Sequence, residues 1–269
     1  LGDNIHFAGS TRLSPSFNYT AYDNMARIYF DSGASGFTLI GNSIKLQTNG
    51  ANTPLIQNDS TTLQTVRFAN IAFANSGTIN AASGDITMNV GSGTGSIFLD
   101  SNSTLTLQAA ASKTLLIDNI IANGSGSTGN VLVAGPGTVK LARANTYTGT
   151  TGVDSGTLEL GNNTAMNGTI AYVGNGGTAL ANTNASLLLN TSGLTVSNQI
   201  VTNKADTGSG LGTGTRRIGG NFTSGSSTFS GSIFLNGGSV LTAGSGGTVV
   251  FSGVIQNGID TGNVSRALT

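Results

Sequence analysis

The sequence has no cysteine, no tryptophan, three prolines and one histidine, and only 8% of its residues are charged. The missing cysteine excludes a disulfide framework and a thiolate metal site. With His6 as the sole histidine, a His-based triad or a multi-histidine metal centre within the chain is excluded as well. Glu159 is the only glutamate, and no apolar stripe at helical spacing is sustained, so helices are not expected. Eleven basic residues balance eleven acidic ones, which leaves no electrostatic footprint for nucleic acid or an anionic membrane. No apolar run approaches the ~20 residues of a membrane span. The opening Leu1-Gly2-Asp3-Asn4 lacks the basic and apolar regions of a signal peptide. At the other end, Val264-Ser265-Arg266-Ala267-Leu268-Thr269 has the pattern of a further strand, so the chain is expected to be an excerpt of a longer molecule.

What is present is a vocabulary of strands and turns. Hydrophobic residues make up 37%, mean hydropathy is +0.09 and net charge is zero, a combination that argues against disorder. Val, Ile, Leu and Ala stand among Thr, Ser, Asn and 41 glycines. Short alternating segments recur and each is closed by Gly, Asn, Ser or Asp: Phe37-Thr38-Leu39-Ile40, Asp85-Ile86-Thr87-Met88-Asn89-Val90, Ser96-Ile97-Phe98-Leu99, Thr138-Val139-Lys140-Leu141, Thr157-Leu158-Glu159-Leu160 and Thr248-Val249-Val250-Phe251. Such density of period-2 segments is an all-β signal. Sandwiches and barrels use longer strands and tight hairpins. The loose repeat of strand and Gly/Asn corner points instead to a parallel β-helix, a β-solenoid of about a dozen short coils rising ~4.8 Å each. The apolar residues would fill a narrow lumen, and Gly and Asn would supply positive φ at the corners. Residues 1–30, which hold Pro15, Tyr19 and Tyr22, are expected to be an N-terminal lead-in loop or partial cap, with the solenoid over 31–269.

One stretch is specific enough to suggest a family. Gly135-Pro136-Gly137-Thr138-Val139-Lys140-Leu141 is followed by Asn145-Thr146-Tyr147-Thr148-Gly149-Thr150-Thr151 and then by Ser155-Gly156-Thr157-Leu158-Glu159-Leu160. This block resembles the passenger-associated transport repeat of autotransporters, also called the autotransporter-associated β-strand repeat. Its pattern is G-x-G-T-L-x-L, then N-T-Y-T-G-x-T, then x-G-T-L-x-L. The strong match covers about a tenth of the chain. The resemblance implies a right-handed β-helix exported to the outer surface of a Gram-negative-type cell, with the repeat aiding folding as the chain emerges. It implies no catalytic residue.

A β-helix that cleaves polysaccharides would need two carboxylates ~5–9.5 Å apart, usually on neighbouring rungs. Asp85 with Asp100, or Asp100 with Asp118, have spacings that fit rung neighbours; Asp154 and Glu159 are close in sequence but face opposite sides of a continuous strand. These acids are expected to close strands and turns. Arg216-Arg217, the one adjacent basic pair, is expected in a solvated loop, as is Gly208-Ser209-Gly210-Leu211-Gly212-Thr213-Gly214, which has no following helix to hold phosphate. The triplets Asn18-Tyr19-Thr20 and Asn221-Phe222-Thr223 fit the glycosylation pattern by chance in so Asn- and Thr-rich a chain.

No catalytic, cofactor-binding or metal-binding residue is therefore expected, and the chain is not expected to be an enzyme. The leading expectation is an extracellular structural or adhesive protein of a bacterial surface whose partner is further copies of itself, end to end or laterally, in a fibre or sheath. Surface glycans held by Tyr19, Tyr22, Tyr29, Tyr147 and Tyr172 are the alternative partner. A passive stalk that displays another domain is the third reading.

Overall fold

The computed structural model describes residues 3–18, 20, 23–89, 95–167, 170–174, 183–202, 214–236 and 238–257. Tyr19, Tyr22, the stretch 208–213 and the terminal 264–269 lie outside the described residues. The described residues form 28 strands and no helix. Every pairing between named strands is parallel, and consecutive strands do not pair with each other. Each strand instead pairs with the strand about one coil further along, which makes the chain a parallel β-solenoid.

Most coils carry three strands separated by corners. A first face runs through ten rungs from Ser16–Phe17 to Ser239–Thr242. The eight-residue strand Asp23–Phe30 splits the largest sheet into two further faces. Its Asp23–Met25 half pairs with Ile44–Leu46 and opens a second face, continued by Ile71–Phe73, Ser96–Leu99 and Ile120–Asn123. Its Arg27–Phe30 half pairs with Leu55–Asn58 and opens a third face that reaches Ile255–Asn257. Ten rungs on the first face are fewer than the dozen coils expected, because several coils are long. The step from Thr138 to Thr157 is short, whereas the step from Ala185 to Arg216 is long.

Alternation explains the core. On the first face Leu39, Val66, Met88, Ile117, Leu141, Leu160 and Leu189 stand in one inward column. On the third face Ile28, Ile56, Ile79, Leu107, Val133, Val153 and Val173 form another. All are buried, and each such side chain contributes about 1.5–3 kcal/mol by leaving water. At the N-terminal end the lumen is filled by rings: Phe7 lies 5.5 Å from Phe30 and 5.4 Å from Phe37, and Phe17 lies 5.0 Å from Phe68. Residues 1–30, expected as a lead-in loop, contain rungs of the same sheets, since Asp3–Phe7 pairs with Asp23–Phe30 and Ser16–Phe17 with Ile40 and Gly41.

The corners differ from expectation. Among the described residues eleven glycines have positive φ, but Asn102 is the only asparagine that does. Asparagine acts through its side chain instead. Asn70 Oδ1 accepts from Ser96 N at 2.9 Å, Asn102 Oδ1 from Thr128 N at 2.7 Å and Asn123 Oδ1 from Gly129 N at 2.8 Å. Each bond ties down a backbone donor where the ladder is broken by a bend. Gly156 shows what its own kind of corner demands: φ is +74°, and a Cβ there would stand 2.1 Å from the Gly135 carbonyl oxygen.

The block from Asn145 to Thr151 occupies a gap. Among the described residues, no strand of the second face lies between Leu141 and Thr151 or between Leu160 and Ile170. Two short coils replace it with side chains. Asn145 is buried; its Oδ1 accepts from Ile121 N at 2.8 Å, and its Nδ2 donates to Ala165 O at 2.6 Å. One carboxamide thus stitches three successive coils. Tyr147 fills the lumen beside it, wholly buried, with its hydroxyl 2.6 Å from Thr151 Oγ1. Beyond the gap, Thr195–Val196, Ser226–Phe229 and Thr248–Phe251 form a new three-stranded sheet between the first and third faces.

Candidate functional site

A set of aromatic and charged groups lies on the outside of the third face at the N-terminal end. Register places His6 beside Tyr29, Tyr29 beside Gln57, Gln57 beside Asn80 and Asn80 beside Gln108. These residues alternate with the buried Ile column, so strand periodicity aims them outward. The rings of His6 and Tyr29 stack at 4.7 Å and 18°. Arg27 Nη1 donates to the Tyr29 hydroxyl at 3.1 Å, and Arg27 Nε donates to Thr53 O at 3.0 Å. Asn80 Nδ2 donates to Gln57 Oε1 at 3.0 Å, while Gln57 Nε2 donates to both Asp59 carboxylate oxygens at 2.9 and 3.0 Å.

Two carboxylates meet at this corner. Phe30 pairs with Asn58 and Asp59 N donates to Phe30 O, so Asp31 and Asp59 occupy adjacent rungs, about 5 Å apart along the backbone. Asp31 Oδ1 lies 2.8 Å from His6 Nδ1. Each carboxylate is therefore held by a partner of its own and open to water, and neither sits in the dry setting that a general acid requires. Sequence reasoning missed this pair because it sought acids 15–18 residues apart, whereas the coil between Asp31 and Asp59 is much longer.

The acids expected to be rung neighbours are dispersed. Asp85 stands between the third and first faces and accepts from Thr114 N at 2.8 Å. Asp100 stands between the second and third faces, 3.6 Å from Lys45 Nζ. Asp118 ends a first-face strand, 2.6 Å from Arg143 Nε. Glu159, outward on the first face, lies 3.0 Å from Lys140 Nζ and accepts from Asn221 Nδ2 at 2.7 Å. Of the candidate tyrosines, Tyr147 is inside the lumen, and Tyr29 and Tyr172 lie on the third face many rungs apart. Among the described residues no three His, Asp or Glu side chains gather in a way that could hold a metal ion.

Arg216-Arg217 is not a solvated loop. It opens the strand Arg216–Gly220, with Arg216 only 1% exposed and Arg217 facing out. Strand alternation turns Arg216 inward, where its Nη1 donates to Thr183 O at 2.9 Å and its burial lowers its pKa. Room for it exists because position 174 is glycine: a Cβ there would fall 1.6 Å from Arg216 Nε.

Asp154, at the corner before Gly156, carries the clearest pH signature. Its Oδ1 is buried without a hydrogen-bond partner among the described residues, and burial pushes its pKa up to about 6. The folded state therefore holds this proton more tightly than the unfolded chain. The resulting stabilisation is complete below about pH 4 and is lost as pH rises through 6. Thermal melts are expected to give a lower Tm at pH 8 than at pH 5, and Asp154→Asn is expected to flatten that difference. An unchanged slope in the variant would assign the pH response to other groups.

Comparison with family models, with curated proteins and with solved structures finds no match.

Proposed function

We propose that this chain is a structural or adhesive rod of a bacterial outer surface, built as a right-handed solenoid like the passenger of an autotransporter, and that copies of it join into a fibre or sheath. The observation that carries this reading is the unbroken inward column. It runs through every coil from Ile28 to Val173 with no inward catalytic group, while the outward charges neutralise one another in pairs such as Lys140–Glu159 and Arg143–Asp118. A rod with a sealed core and a neutral skin works through its length, its surface and its ends. The last described coil leaves Val250, Val254 and Ile255 exposed, and Phe251 stacks on Phe229 at 5.7 Å along the axis. The block around Asn145 and Tyr147 supports the family resemblance and, with it, the extracellular address.

Negative-stain electron microscopy of the purified chain over a range of concentrations and salts tests the assembly. Filaments, or rods in multiples of one unit's length, are expected. Single rods of about 45–50 Å, ten rungs at ~4.8 Å, under every condition would overturn self-assembly. Protease accessibility on intact source cells tests the address: protection until the cells are broken would overturn it.

A further inference from the structure

We propose that the outward column His6–Tyr29–Gln57–Asn80–Gln108, flanked by Arg27, Asp31 and Asp59, is a binding strip for a neutral glycan chain lying along the rod axis. The column spans four rung steps, about 19 Å at ~4.8 Å each, which suits a linear polymer better than a compact ligand. Its chemistry is that of a polyhydroxylated partner. Carboxamides, carboxylates and a guanidinium present fixed donors and acceptors in pairs, which match neighbouring hydroxyls that both give and receive hydrogen bonds. The groups are already held in place by one another through the Arg27–Tyr29, Gln57–Asp59 and Asn80–Gln57 bonds. Little side-chain freedom is then lost on binding. At the end of the column the His6 side chain is half exposed, at 52%, and stacked from below by Tyr29. It offers a rigid ring for the apolar face of a sugar.

Other partners fit less well. Asp31 and Asp59 would repel a nucleic acid or an acidic polysaccharide. The column has no buried apolar anchor of the sort that dominates protein–protein contacts. The proposal holds whether or not copies of the rod associate.

Isothermal titration of the whole chain with soluble linear hexasaccharides of neutral hexoses and of N-acetylhexosamines tests it, with polyuronic acid as the acidic control. At least one neutral chain is expected to bind. Kd is expected to rise tenfold or more in Asn80→Ala and Tyr29→Ala, and to stay unchanged in Arg67→Ala, an exposed position on the first face. Asn80→Ala removes only an outward carboxamide, so it keeps the test valid if Tyr29→Ala folds poorly; circular dichroism checks both. No binding of any neutral chain, binding of the acidic control alone, or equal weakening in Arg67→Ala would overturn the proposal.

Discussion

Replacing Tyr147 by alanine is expected to lower the unfolding free energy by about 3–5 kcal/mol, the range for emptying a large aromatic site in a core. Tyr147 is wholly buried at the point where the second face has no strand, so backbone collapse into the cavity is hindered by the coils on either side. Tyr147→Phe separates the ring from the hydroxyl. It keeps the packing and leaves Thr151 Oγ1 without its 2.6 Å partner, for a loss of about 1 kcal/mol. Urea unfolding followed by circular dichroism measures both. A loss below about 1 kcal/mol in Tyr147→Ala would mean that the lumen there is not closed around the ring.

Asn145→Ala is expected to cost about 2–4 kcal/mol. The side chain satisfies Ile121 N on one neighbouring coil and Ala165 O on the other, and alanine would strand a buried donor and a buried acceptor at once, each worth about 1–3 kcal/mol. Asn145→Asp keeps the acceptor for Ile121 N but aims a carboxylate at the Ala165 carbonyl, so it is not expected to rescue. Hydrogen exchange gives a second readout. In Asn145→Ala the Ile121 amide is expected to lose protection before the amides of the first face, because only the side-chain stitch holds it. Equal protection in both proteins would contradict the stitch.

Both effects rest on a block that was visible as a motif before its physical role was. The all-β class and the solenoid were legible because period-2 alternation survives in segments as short as Thr138–Leu141 and Thr157–Leu160, which stack in register one coil apart. The inward columns follow from the same alternation. Less legible was anything that depends on how long each coil is. The coil from Ala185 to Arg216 is longer than that from Thr138 to Thr157, so a fixed repeat misplaces residues around the axis. That is why Asp85, Asp100 and Asp118 looked like neighbours and are not, while Asp31 and Asp59 became neighbours unnoticed. Arg216 was misjudged for a related reason. Two adjacent arginines suggest a loop, but in a strand alternate residues face opposite ways, and Gly174 clears the space for the inward one. Asparagine at corners was foreseen for its backbone and serves through its carboxamide, a role that composition alone does not distinguish.

The parallel register is the foundation of every other statement, and a chain without cysteine makes it directly measurable. Thr65 pairs with Thr87, and Thr114 with Thr138, as outward neighbours on adjacent rungs of the first face. Cα atoms ~4.8 Å apart lie within disulfide reach. Double variants with cysteine at 65 and 87, or at 114 and 138, are therefore expected to form an intramolecular disulfide on mild oxidation, read as a loss of two hydrogen atoms in the intact mass. Cysteines at 65 and 114, two rungs apart, are expected to stay reduced. Cross-linking at 65 and 114 with none at 65 and 87 would contradict the solenoid.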